Sequence, residues 1–152
     1  MKSFKKAERL FQKRQNKQAL KAIEVVLKKN EKHGESVALK GAILGRLAET
    51  EEEKQEAIAL CKQGVSFDVT SKNAWAHLAR LYQNNLKYED AIKSFKMALR
   101  ACKPNQQQEK NEFRRNLVTL LAQTRGWSEL AEVRRQLQLD NQDQLVHWLG
   151  YR

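Results

Sequence analysis

The residues best suited to chemistry in this chain are cations crowded near its start. Lys2, Lys5, Lys6, Arg9, Lys13, Arg14, Lys17 and Lys21 come first, and Lys28, Lys29 and Lys32 follow. Between Met1 and His33, eleven basic residues are opposed only by Glu8, Glu24 and Glu31, a local net charge of +8. On one helix, Lys2, Lys6, Arg9, Lys13 and Lys17 recur every three or four residues and share a face, opposite Phe4, Leu10 and Phe11. Such a face can follow a phosphate backbone, with affinity that falls steeply as salt rises. No aromatic residue stands among these lysines on that face. Backbone contact is therefore expected, without base stacking and with low sequence specificity. The competing reading is a solvated face that serves solubility. A second basic cluster, Arg114, Arg115, Arg125, Arg134 and Arg135, would either extend this surface or take an acidic partner.

Other reactive side chains do not assemble into a site. His33, His77 and His147 each stand alone, with no cysteine or carboxylate at metal-ligand spacing. His77 is expected in a groove or on the surface. The glycines are dispersed and form no phosphate loop. Glu51, Glu52 and Glu53 follow Thr50 as the first turn of a capped helix, where the helix dipole favours anions. Cys61 and Cys102 lie far apart, and Cys61 falls at a packing position, as a small buried hydrophobe in a reducing compartment. No cofactor, metal or catalytic group is expected.

The 152 residues suit one domain, and 41% hydrophobic content is enough for a core. A net charge of +11 points to a polyanionic partner, most often nucleic acid. One proline and six glycines leave no linker between two domains. No apolar run reaches the ~18 residues of a membrane span. The N-terminus lacks the apolar centre of a secretory signal. It is basic and amphipathic like a mitochondrial presequence, but its pattern runs directly into the next helix. A cytoplasmic protein is expected.

Helical spacing organises the rest. Trp75, Leu78, Ala79, Tyr82, Ala91, Phe95 and Ala98 sit at positions 4, 7, 8, 11, 20, 24 and 27 of one unit. Small residues at Ala79, Ala91 and Ala98 let two antiparallel helices approach, and the large ones fill the space beside them. These seven residues resemble the tetratricopeptide repeat, which recurs every ~34 residues. In the preceding unit Val37, Gly41, Leu44, Ala57, Cys61 and Gly64 fit the same positions if four extra residues are allowed around Glu49 to Lys54. Four residues make about one helical turn, so the insertion is expected to lengthen the second helix of this hairpin and not to form a loop. Ala19, Ile23 and Val26 close a first unit whose first helix buries Phe4, Ala7, Leu10 and Phe11. Phe113, Leu117, Leu120 and Leu121, then Leu130, Val133 and Leu137 after Gly126, form a fourth. Pro104 and Asn105 end the third.

The expected fold is all-α, a tetratricopeptide-repeat superhelix of about four hairpins (2–30, 34–67, 72–102, 107–139) plus the start of a fifth, 142–152. That last helix, with Trp148, Leu149 and Tyr151, has no partner helix after it. It reads as the N-terminal piece of a longer array, a naturally short relative, or a final helix that folds back as a cap.

Several segments carry a narrower likeness. His33 to Leu47 (HGESVALKGAILGRL), Lys87 to Arg100 (KYEDAIKSFKMALR), Arg134 to Leu139 (RRQLQL) and Trp148 to Tyr151 (WLGY) resemble the N-terminal repeats of the auxiliary subunit of the NatA N-terminal acetyltransferase. The resemblance implies a non-catalytic scaffold that encloses a small catalytic acetyltransferase subunit and anchors the complex at the ribosome. Acetyl-CoA would then belong to the catalytic partner. The family's N-terminal basic helices are implicated in ribosome contact, and here they coincide with the cluster from Lys2 to Lys21. The inositol hexaphosphate site of some members has no matching residues. Two departures are the insertion near Glu51 and the absence of the family's many further repeats, which bears on binding of the catalytic subunit by this chain alone.

Two other functions compete. A peptide-binding co-chaperone adaptor would carry Lys and Asn at positions 5 and 9 of successive first helices. Those positions hold Phe4 and Glu8, Ala38 and Ala42, Ala76 and Arg80, so only Arg80 would serve. A free-standing RNA-associated repeat protein would share the charge pattern without the HGE-x4-KG segment.

Overall fold

Residues 2–124 and 126–149 are described by the computed structural model, without the side chains of Lys2 and of residues 139–149. They form α1 (Lys2–Gln12), α2 (Asn16–Lys29), α3 (Gly34–Leu47), α4 (Glu51–Phe67), α5 (Lys72–Asn84), α6 (Tyr88–Ala101), α7 (Gln107–Gln123) and α8 (Trp127–Leu149). Consecutive helices pack as hairpins, and the odd-numbered helix of each hairpin also leans on the hairpin before it.

Short connections follow from local chemistry. Arg14 and Leu86 are non-glycine residues at φ 62, in the left-handed region. Around Arg14, its own N–H donates to the Phe11 carbonyl at 3.0 Å and the Gln15 N–H donates to Leu10 at 2.9 Å. Leu86 and Lys87 repeat the pattern onto Gln83 and Tyr82, at 3.1 and 2.9 Å. Both are Schellman closures, which satisfy the last carbonyls of a helix as the chain reverses. The turn between α3 and α4 is built otherwise. Ala48 is extended, and the Thr50 hydroxyl caps α4 by accepting the Glu53 N–H at 3.1 Å.

The insertion is absorbed into helix. α4 has 17 residues against 14 in α2 and α6, and α3 has 14 against 13 in α5. Close helix approach in this hairpin depends on glycine. A Cβ on Gly64 would lie 2.7 Å from the Ala38 nitrogen and 2.7 Å from the Gly34 carbonyl oxygen. A Cβ on Gly34 would lie 2.6 Å from the Gly64 oxygen. Backbone atoms cannot swing aside, so the two glycines hold α3 and α4 in near backbone contact. Cys61 fills the next gap, fully buried, its thiol donating to the Ala38 carbonyl at 3.2 Å.

Two apolar clusters make the core. A larger one runs from α3 to α8 through Ala57, Ile58, Leu78, Phe95, Phe113, Leu117 and Leu130. A smaller one joins Phe4, Ala7, Ala19, Ile23 and Val26 to Leu39 and Ile43. α3 serves both, which is why it is apolar on most of its circumference. Leu10 and Phe11, expected in the core of α1, are only half-buried.

The fifth helix expected at 142–152 is corrected. α8 continues without a break from Trp127 to Leu149. Leu139 to Asp143 contains no proline or glycine, so nothing interrupts its hydrogen-bond ladder. The side chains of Trp148 and Leu149, and all of Tyr151, lie outside the described residues.

Candidate functional site

The cationic hairpin comes first. Lys5, Lys6 and Arg9 are exposed on α1, Lys13 and Arg14 are exposed in the turn, and Lys17 and Lys21 are exposed on α2. Lys2 belongs to α1, with its side chain outside the description. The single helical face running from Lys2 to Lys17 is not formed. The left-handed Arg14 ends α1, and Lys17 lies on the antiparallel α2. The cations are therefore spread over two helices and the turn joining them. Among the described residues, no ion pair joins any of Lys5, Lys6, Arg9, Lys13, Arg14, Lys17 or Lys21 to a carboxylate. Glu8, beside them, has its carboxyl pushed up by burial and by Glu35, against the opposing pull of Lys5 and Lys72.

A second feature fits the groove position expected for His77. The first helices α1, α3, α5 and α7 border a groove of about 730 Å³. His77 lines it, and its ring meets the Phe11 ring edge-on at 5.6 Å. Burial, then Arg80 and Arg46, lower the His77 pKa from 6.5 to about 3, so the imidazole is neutral at physiological pH. The Arg46 guanidinium lies 3.5 Å from the Phe11 ring centroid, and its Nη1 donates to the Phe11 carbonyl at 2.5 Å. Arg80 pairs with Glu112 of α7 at 3.1 Å. Arg46 itself is pulled down from its ordinary pKa by burial, then by Arg14 and Arg80, so the three guanidiniums feel one another.

Of the clamp positions 5 and 9, Phe4, Ala38 and Ala76 are buried in the core, whereas Glu8, Ala42 and Arg80 line the groove. Arg46 stands one helical turn beyond Ala42, on the same face. Extending the comparison of first helices by that turn would have found it.

The second basic cluster disperses. Arg115 and Arg134 border a shallow groove with Val118 and Leu137 between α7 and α8. Arg135 bonds to Glu132 on its own helix, and Arg114 donates to Asn111 at 3.1 Å. Arg125 lies outside the described residues.

Antiparallel helix pairs stacked through their first helices, with small residues at the crossings, define a tetratricopeptide-repeat protein. Residues 9–137 match the family described as Psidin, N-terminal TPR repeats region, and the chain belongs to that family. It is 34% identical over 148 residues to the N-terminal acetyltransferase A complex auxiliary subunit NAA15 of Arabidopsis thaliana. It is 32% identical over 150 residues to the human N-alpha-acetyltransferase 16, NatA auxiliary subunit. Each match covers 97% of this chain and 16% of the relative, so the chain spans about a sixth of those proteins. Among solved structures, one of Naa15/Naa10 bound to HypK-THB is similar at TM-score 0.79 and 32% identity, over 93% of this chain and 20% of that one. A MamA chain (41-end) from Desulfovibrio magneticus RS-1 shares the fold at TM-score 0.70 and 16% identity, over 93% of this chain and 75% of its own.

Proposed function

We propose that this chain is a non-catalytic scaffold segment of a NatA-type auxiliary subunit, anchoring such a complex to the cytoplasmic ribosome through its basic first hairpin. The observation that carries the reading is the set of exposed cations on α1, α2 and their turn that pair with no carboxylate among the described residues, in an array of this family. Ribosomal RNA is a phosphate surface, and cations spread over two helices and a turn can meet it at several points without reading bases. Lys5, Lys6, Arg9, Lys13, Arg14, Lys17 and Lys21, with Lys2, are the contact residues in this reading. A catalytic acetyltransferase subunit is the second partner, supported by the likeness to auxiliary subunits and to a chain of a Naa15/Naa10 structure. Acetyl-CoA chemistry belongs to that partner.

Co-sedimentation with ribosomes tests the anchoring. The chain pellets at low salt and progressively less as salt rises. Reversing Lys5, Lys6, Arg9, Lys13 and Lys17 to Glu abolishes pelleting while the helical circular dichroism is kept. Unchanged pelleting of the folded variant overturns the assignment of this hairpin. Affinity capture from lysate then separates this reading from a free-standing RNA-associated protein, because an acetyltransferase subunit is recovered only in the first case.

A further inference from the structure

Between Ala7 and Ala19 no residue is buried, yet four cations of the anchoring surface, Arg9, Lys13, Arg14 and Lys17, lie in that stretch. The apolar cluster grips the hairpin firmly only on either side of it, through Phe4 and Ala7 on α1 and Ala19, Ile23 and Val26 on α2. We infer that Arg46 of α3 fixes this turn end to the array, so that the hairpin presents a rigid charge pattern that selects folded RNA over flexible polyanions. This role rests on the anchoring reading and gives it a positioning residue and a class of partner.

Arg46 reaches the turn at three points. Its Nη1 donates to the Phe11 carbonyl at 2.5 Å and, more loosely, to Asn16 Oδ1 at 3.4 Å. Its guanidinium also lies over the Phe11 ring, 3.5 Å from the centroid. The Phe11 carbonyl is the one that accepts the Arg14 N–H at 3.0 Å and so closes the left-handed reversal. Asn16 is the first residue of α2. One side chain of α3 therefore holds the last turn of α1, the reversal and the start of α2. His77 of α5 meets the same Phe11 ring edge-on at 5.6 Å, so a second helix steadies it. Along α3, Leu39, Ile43 and Arg46 recur every three or four residues and share a face. Leu39 and Ile43 anchor the buried part of the hairpin, and Arg46 continues that seam to its exposed end. Only a planar guanidinium can stack on a ring and donate along its edge at once, which an ammonium cannot.

Rigidity matters for one kind of partner and not for another. Folded RNA holds its phosphates at fixed places, and proteins recognise it largely by shape. Cations already held in a matching arrangement meet it without first being ordered, which strengthens binding. A flexible single strand adapts to cations wherever they stand, and its affinity follows their number. A turn released from Arg46 keeps all its charge, so it loses affinity for the first partner and keeps it for the second.

The test compares the full chain with its Arg46→Gln, Arg46→Lys and Phe11→Leu variants, each well below its own melting midpoint so that all are folded. Affinity is read for ribosomes by pelleting and for labelled poly(uridine) by fluorescence anisotropy. Arg46→Gln is expected to weaken ribosome binding about tenfold, the scale of ordering two side chains anew, and to leave poly(uridine) binding unchanged. Phe11→Leu removes no charge and gives the same pattern, and the double variant is no weaker than either single one. Arg46→Lys keeps the charge and recovers only part of the loss. Amide exchange in Arg46→Gln quickens over residues 11–17 and not in α5 or α6. Three results overturn this role: unchanged ribosome affinity of Arg46→Gln, equal losses for both ligands, which would make Arg46 a phosphate contact, or additive losses in the double variant. A wild-type chain that does not pellet overturns the anchoring and this role with it. Pelleting that charge reversal abolishes and Arg46→Gln leaves intact overturns this role alone.

Discussion

His77 is neutral where an ordinary histidine would be partly charged, because burial and the Arg80 and Arg46 guanidiniums hold its pKa near 3 against the usual 6.5. That shift is a statement about stability. As pH falls through 6.5 the unfolded chain takes up a proton here, and the folded chain does not until about 3. The contribution is fully present above pH 6.5 and is lost progressively between 6.5 and 3. Urea denaturation at pH 7 and pH 4 measures it. The wild type should lose on the order of 2 kcal/mol more than His77→Gln over that interval, after discounting the shift for the partly open groove. Glu8 titrates in the opposite sense, its carboxyl being raised, and it cancels in the comparison of the two proteins. Equal pH dependence of the two would place the imidazole in solvent.

At the scale of elements, the third hairpin was the most legible part of the chain. Leu78, Ala79, Tyr82, Ala91, Phe95 and Ala98 are buried, and Trp75 packs against them with its Nε1 donating to the Val69 carbonyl at 2.8 Å. These residues carry their information in spacing, which a sequence displays directly. The HGE-x4-KG segment was legible only as a likeness, but its His33, Gly34, Glu35 and Gly41 each have a physical role. The His33 ring meets Phe4 edge-on at 5.5 Å, Gly34 meets Gly64, Glu35 accepts from Asn73 at 2.6 Å, and Gly41 faces Cys61. The segment is the joint of three hairpins. What stayed hidden was reversal: Arg14 carries no turn signature, so the lysine face was drawn straight through it. Of the groove only the place of His77 was legible, since Phe11, Arg46 and Arg80 come from three repeats and share no local period. The Leu86 closure yields an element-scale prediction. Its side chain is 72% exposed and its φ is 62, so Leu86→Gly removes backbone strain and no packing. The strain relieved, about 1–2 kcal/mol, exceeds the ~0.5–1 kcal/mol entropic cost of glycine. Chemical denaturation should show a gain of about 0.5–1 kcal/mol, and a loss would mean that Leu86 is packed.

For the whole molecule, stability is distributed along the array. A repeat protein behaves as a row of units, each coupled to its neighbours. The first hairpin joins the row through the smaller cluster, in which Leu39 and Ile43 of α3 are its fully buried anchors. Mutual repulsion among its unpaired cations opposes compaction as well. Native-state amide exchange should show α1 and α2 opening together, at a lower free energy than α5 and α6. Raising salt should narrow the gap by screening the cations. Exchange of α1 and α2 at the global rate would show one cooperative unit instead. Binding a polyanion would supply the missing countercharge, so under the proposed anchoring the first hairpin would be the part most stabilised by contact.

The contact between Gly34 and Gly64 has a genetic consequence. Every codon change that alters the amino acid at either position adds the same Cβ atom to a space bounded by backbone. Alanine, serine and valine therefore meet one obstacle, whatever their polarity. No compensating change in a neighbouring side chain can clear it, and variation in this chain must go around the pair.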